Sequence, residues 1–212
     1  MRKILSLTFA LFVALTAIGL ASKSAQAVVT WTWNGTRLTG AQNVDVNGTL
    51  YNVTFGTGSC QAVFTGCDNA VADFAFTTEA DARAAGQALL DQVFLDINTA
   101  PGSPHFDTNP SLILGCGIGN PNICLASIPY LLTDGTVTFA YAQNETVEAS
   151  DIVPLGSAAF PTFYDNALTN GVYTWARFSV VPIPPALLLF ISGLVAFFGV
   201  ARSGRREAKA EV

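Results

Sequence analysis

Between Val28 and Val181 the chain has no lysine, only the arginines Arg37, Arg83 and Arg177, and a single histidine, His105. Thirteen aspartates and glutamates share that span, which leaves a net charge of −10. A surface with so few cations repels phosphate backbones, so nucleic acid is excluded as a partner. The shortage of histidine also narrows the catalytic options. A Ser-His-Asp triad or a Cys–His pair would have to use His105. That residue follows Pro101-Gly102-Ser103-Pro104 and reads as a solvated loop side chain. No serine lies in a Gly-x-Ser-x-Gly elbow. The glycine-rich run Gly115-Cys116-Gly117-Ile118-Gly119 lacks GxGxxG spacing, and Pro121 stands where a phosphate-binding helix would start. It reads as a tight turn that carries a disulfide.

Charged residues make up only 12% of the 212 positions, and apolar ones 50%, because two apolar runs occupy the ends. Arg2-Lys3 begins the first. Ile4 to Ala21 follows, interrupted only by small polar residues, and then Ala25-Gln26-Ala27. A basic start, an apolar stretch and a small-x-small site in that order define a secretory signal peptide over residues 1–27. Cleavage after Ala27 gives a mature start at Val28.

The second run begins at Val181-Pro182-Ile183-Pro184-Pro185. Pro185 to Ala201 carries no charge, and as a helix it would be about 25 Å long, at the short end for a bilayer span. Proline is tolerated at a helix start but not in its interior, so the proline run forms an extended approach to the span. Arg202, Arg205 and Arg206 stop transfer on the cytoplasmic side. The box, the span with Ser192-Gly193-Leu194 inside it, and the terminal arginines resemble the PEP-CTERM sorting signal, in its VPxPA variant. Pro185 stands where that variant carries Ala, and Ser203-Gly204 interrupts the arginine cluster. The resemblance covers residues 181–212, with Val181, Pro182 and Pro184 as the sorting motif. It implies processing by an exosortase, a membrane transpeptidase, and transfer to the cell surface or extracellular matrix of a Gram-negative bacterium that makes exopolysaccharide. Residues 44–98 also resemble a pattern that recurs in proteins with this tail, without supplying an activity.

Residues 28–180 remain as one extracytoplasmic domain, large enough for its own core. Strand signals dominate it. Trp31 and Trp33 alternate with threonines; Val44 to Phe55 reads as a hairpin around Asn47-Gly48, the preferred pair for a type I′ turn. Val137, Phe139 and Tyr141 alternate after Asp134-Gly135, and Val172, Tyr173, Trp175 and Phe178 mark a last strand. One segment has helical spacing: Ala82, Ala85, Leu89, Val93 and Ile97 fall on one face between Thr78 and Ile97, opposite Arg83, Gln87 and Asp91. Thr77 or Thr78 can cap it, with Glu79 and Asp81 in its first turn. The stretch 101–122 is loop-rich. The expected fold is mainly β with one amphipathic helix, either α+β or sandwich-like.

Cys60, Cys67, Cys116 and Cys124 all lie in the exported part. An even count outside the cytoplasm points to two disulfides, and the spacing favours Cys60–Cys67 and Cys116–Cys124. Zinc sites use closer Cys-x2–4-Cys spacing. No metal or cofactor is implied. Asp68 with Asp73, or Asp91 with Asp96, could form a glycosidase pair, and Asp45, Asp134 or Asp151 could meet calcium, but turn and helix-surface roles account for them. Sequons at Asn34, Asn47, Asn52 and Asn144 are incidental in a bacterial chain. The expectation is a non-enzymatic surface or matrix protein, structural or adhesive. The alternatives are a polysaccharide-binding module, stacking sugars on Trp31, Trp33, Tyr173 or Trp175, and a matrix hydrolase.

Overall fold

A computed structural model describes residues 28–97, 104–147, 150–165 and 171–182. The signal peptide with Ala25 and Ala27, the sorting residue Pro184, the span 185–201 and Arg202, Arg205 and Arg206 lie outside the described residues. Among the described residues, no helix is long and apolar enough to cross a membrane.

The elements in chain order are β1 (Thr30–Trp33), β2 (Leu38–Val46), β3 (Thr49–Gly56), α1 (Cys60–Val63), α2 (Ala70–Asp73), α3 (Glu79–Gln92), a 3-10 turn (Pro110–Leu112), β4 (Ile123–Thr133), β5 (Thr136–Glu145), β6 (Ala158–Pro161) and β7 (Tyr173–Val180). All seven strands join one mixed sheet, ordered β1-β2-β3-β7-β4-β5-β6. Neighbours are antiparallel except β4 and β7. The protein is therefore mainly β, with a single sheet where the sequence left a sandwich open.

Local chemistry sets the two hairpins. Asn47 (φ 53°) and Gly48 (φ 85°) both take positive φ, as do Asp134 (φ 49°) and Gly135 (φ 73°), which is the type I′ signature in each case. Asp45 accepts a 2.7 Å bond from the Gly48 N–H and holds the first turn closed. A bulge between Ala41 and Val44 bends β2, with Asn43 at φ 62°, a conformation that Asn tolerates. Gly40 is required by contact rather than by φ. A Cβ there would sit 2.2 Å from the Val53 carbonyl oxygen across the ladder. Gly40→Ala should therefore push β2 off β3 and cost at least about 2 kcal/mol in urea denaturation; an unchanged midpoint would mean that the two strands are not this close.

The sheet is covered on both faces. Helix α3 buries Ala82, Ala85, Gly86, Ala88, Leu89 and Leu90 against one of them, and its small residues let it approach closely. Thr78 caps its first turn, accepting from the Asp81 N–H at 3.2 Å. The helix ends at Gln92 rather than running to Ile97. The N–H groups of both Val93 and Phe94 donate to the Leu89 carbonyl, which closes the last turn, and Phe94 then turns into the core beside Phe55, with ring centroids 5.6 Å apart. The other face packs Trp175, Phe139 and Val137 against Phe64, Phe74 and the Cys60–Cys67 bridge.

Disulfides join Cys60 to Cys67 and Cys116 to Cys124, and no described cysteine is free. This is the pairing that the spacing favoured. Gly115 (φ 92°) and Gly117 (φ 87°) flank Cys116 in a tight turn. Arg37 reaches this turn, and its guanidinium donates to the carbonyls of Ser111, Ile113 and Cys116. One of the domain's few cations is thus spent on satisfying loop backbone.

Candidate functional site

Two places on the domain collect the residues of interest. The first is the end of the sheet at the Asn47-Gly48 turn, where the described residues begin and end. The Val28 carbonyl accepts from Asn43 Nδ2 at 3.3 Å, next to the start of β1. At the other end of the chain, β7 pairs with β3 through Tyr51↔Val180. The Val181 N–H then donates to the Leu50 carbonyl at 2.9 Å, the last rung of that ladder. Pro182 has no N–H to continue the ladder, and it is exposed. Of the sorting box, then, Val181 is tied to the sheet and Pro182 is free of it. An open depression of about 590 Å3 lies at this end, lined by Val28, Val29, Asp45, Asn47, Gly48, Leu50 and Gln92. Gln92 closes one wall by bonding both backbone groups of Asp45, at 2.9 and 2.8 Å.

The second place is a group of carboxyls beside the C-terminal half of α3. Asp107, Glu145 and Asp151 converge there from three segments that are remote in sequence. The Glu145 N–H donates to Asp151 Oδ1 at 2.7 Å. Burial, first, and then the hydrogen bond and charge of Asp107 and the charge of Glu145 push the Asp151 carboxyl up to about 7, against the opposing pull of the Glu145 N–H. Asp107 and Asp151 also line a shallow depression of about 160 Å3 with Gln87, Leu90, Asp91, Phe94 and Leu95.

Asp96 lies next to this group and behaves in the opposite way. Burial alone would raise its carboxyl, but the Thr108 hydroxyl and N–H, followed by His105, more than offset this and hold it below the ordinary carboxylate range. Asp96 Oδ2 accepts from the Thr108 hydroxyl at 2.8 Å and meets His105 Nδ1 at 3.3 Å. His105 is thus paired with a carboxylate, while its side chain remains 48% exposed. No residue spacing points to the Asp107–Glu145–Asp151 group, and sequence reading did not find it.

The other candidates are dispersed. The Asp73 carboxylate accepts the N–H groups of Asp68 and Asn69 at 3.0 Å each, so that pair closes a turn instead of facing a substrate. Asp91 bonds Gln87 along the exposed side of α3. Asp45 and Asp134 sit at the two hairpin turns, and Asp151 lies beyond the opposite end of β5. Among the described residues, no three His, Cys, Asp or Glu side chains are placed to hold a metal ion. The four aromatics considered for sugar stacking divide between the faces of the sheet. Trp175 is fully buried. Trp31 donates its indole N–H to the Val93 carbonyl at 2.8 Å, and Trp33 packs on Phe106 with centroids 5.6 Å apart. Tyr173 packs edge-on against Phe160 on the opposite face. Asn144 is fully buried, which rules it out as a glycan acceptor in the folded domain.

The geometry defines a disulfide-stapled domain built on one mixed sheet, with both described ends of its chain at one end of that sheet. Comparisons with protein-family profiles, curated proteins and solved structures find no match.

Proposed function

We propose that this chain is an exported surface or matrix protein with a structural or adhesive role, delivered by its signal peptide and released at the Val181-Pro182-Ile183-Pro184 box by an exosortase-like membrane transpeptidase. The observation that carries this reading is the way β7 ends. The fold holds the chain through the Val181 N–H and then lets go at an exposed proline. From Val181 to the start of the apolar run at Pro185 is four residues, at most about 14 Å of chain. A folded domain on so short a tether presents the box at the membrane face. The two disulfides suit an oxidising compartment, and the acidic, lysine-free domain suits an exposed setting. The division of Trp31 and Trp33 from Tyr173 and Trp175 favours a structural role over sugar stacking.

Intact mass of the protein from its native host, measured in membrane and culture fractions, tests this. The expected result is an extracellular product that starts at Val28 and ends within the box. Pro182→Ala together with Pro184→Ala should trap the chain in the inner membrane. A wild-type chain that keeps residues 185–212 in the inner membrane would overturn the sorting reading and leave a single-pass anchor.

A further inference from the structure

The cover on the second face of the sheet is partial. Helices α1 and α2, with the Cys60–Cys67 bridge, lie over Trp175, Phe139 and Val137. Beyond Trp175 that face is bare, and Thr30, Thr32, Gln42, Thr54, Arg177 and Ser179 are all exposed on it. Alternation along each strand puts them on one side. Trp31, Ala41, Val53 and Phe178 take the positions between them and turn into the larger core.

The ladder carries this surface across four strands. Thr32 pairs with Gly40, Gly40 with Thr54, and Thr54 with Arg177, all in one row. Three strand spacings make that row about 14 Å wide. Thr30 pairs with Gln42 and Asn52 with Ser179 alongside it. Apart from Arg177, the side chains are hydroxyls and amides, and none of these positions is acidic. Arg177 also stands apart from the other arginines of the domain. Arg37 and Arg83 spend their guanidinium groups on backbone carbonyls. Among the described residues, the Arg177 guanidinium has no hydrogen bond or ion pair.

We propose that this bare face, centred on Arg177 and Thr54, binds an acidic polysaccharide whose carboxylates are set apart by neutral sugars. This deepens the matrix role given above and rests on it for bringing protein and polymer together. Arg177 supplies a planar fork that grips a carboxylate through two parallel N–H···O bonds. The flanking hydroxyls and amides both donate and accept, as sugar hydroxyls do. The rings of Trp31, Tyr51 and Phe55 turn to the opposite face, so stacking does not hold the sugars here and the carboxylate has to supply the selectivity. The spacing of charge in the polymer follows from the domain's net −10. A densely charged chain would be repelled as nucleic acid is. Salt screens charges beyond about 8 Å at physiological ionic strength, so an isolated carboxylate at Arg177 meets the hydroxyls and amides around it.

Binding of the full chain, in detergent micelles, to immobilised gellan and to carboxyl-reduced gellan tests this, read by biolayer interferometry. The carboxylated polymer should bind at least about tenfold more tightly than the reduced one. Arg177→Gln should remove that difference. Arg177→Lys should restore part of it, because the charge returns without the fork. Thr32→Val together with Thr54→Val should weaken binding to both polymers a few-fold. Asp91→Ala, on the exposed side of α3, should change neither affinity. Equal binding of the two polymers by the wild type would overturn the proposal, as would an Arg177→Gln variant that still tells them apart. A dimer of the full chain that sedimentation detects and Arg177→Gln dissolves would also overturn it, since a second copy would then occupy the face. A protein correctly released at the box that fails these comparisons sinks the face alone and leaves the delivery reading standing.

Discussion

Trp175→Ala should destabilise the domain by about 4 kcal/mol, the middle of the range for a buried aromatic. The indole is fully buried and stands on β7, between its register partners Gly56 on β3 and Ser127 on β4. It packs edge-on against Phe64 at 5.9 Å and Phe139 at 5.4 Å, and its N–H donates to the Gly58 carbonyl at 2.9 Å. Truncation would empty the middle of the smaller core and free α1 and the first disulfide loop from the sheet. Trp175→Phe keeps most of the volume and loses the hydrogen bond, so about 1–2 kcal/mol is expected. Urea denaturation of the purified chain measures both. A loss for the alanine variant below about 1 kcal/mol would mean that the two halves of the sheet are held by something other than this residue.

Replacing Cys116 and Cys124 together by alanine should cost about 3 kcal/mol. Closing a loop of this length accounts for most of that in the chain-entropy view. The rest comes from what the bridge positions. Both sulfurs are fully buried in the larger core, and the bridge fixes the Gly115–Gly117 turn over the start of β4. The Arg37 guanidinium depends on that turn for its carbonyl partners. The cost should therefore exceed that of the matching Cys60 and Cys67 double variant, whose loop is as short but holds no arginine. The same denaturation series ranks the two, and a reversed order would show that Arg37 finds other acceptors.

The parts of this fold that were legible in the sequence are those with local chemistry. Asn47-Gly48 and Asp134-Gly135 announce their turns because few other pairs tolerate two positive φ angles in succession. The cysteine spacing matched the bridges because each one closes a short loop. Strand β4 was not legible. It is buried on both faces, so it shows a run of apolar residues instead of alternation, and Pro129 sits in its middle, where a proline argues against a central strand. The ladder absorbs that proline at a register shift between Pro129 and Leu131. The C-terminal boundary of α3 was misjudged because Val93 and Ile97 continue the helical spacing after the helix has ended. The carboxyl group at Asp107, Glu145 and Asp151 could not be read at all, since three loop and strand-end acids with no common spacing meet only through tertiary structure.

Strand β7 comes last among the strands in the sequence and lies at the centre of the sheet. Without it, β1–β3 and β4–β6 have no backbone hydrogen bonds in common. For a polypeptide that emerges from a translocation channel N-terminus first, the two halves must wait, each with one edge open, until residues 173–180 arrive. The strand that joins them runs directly into the box where release is proposed. A chain that stops short of residue 173 lacks the strand that joins the two halves of its sheet, and with it the box at which release is proposed.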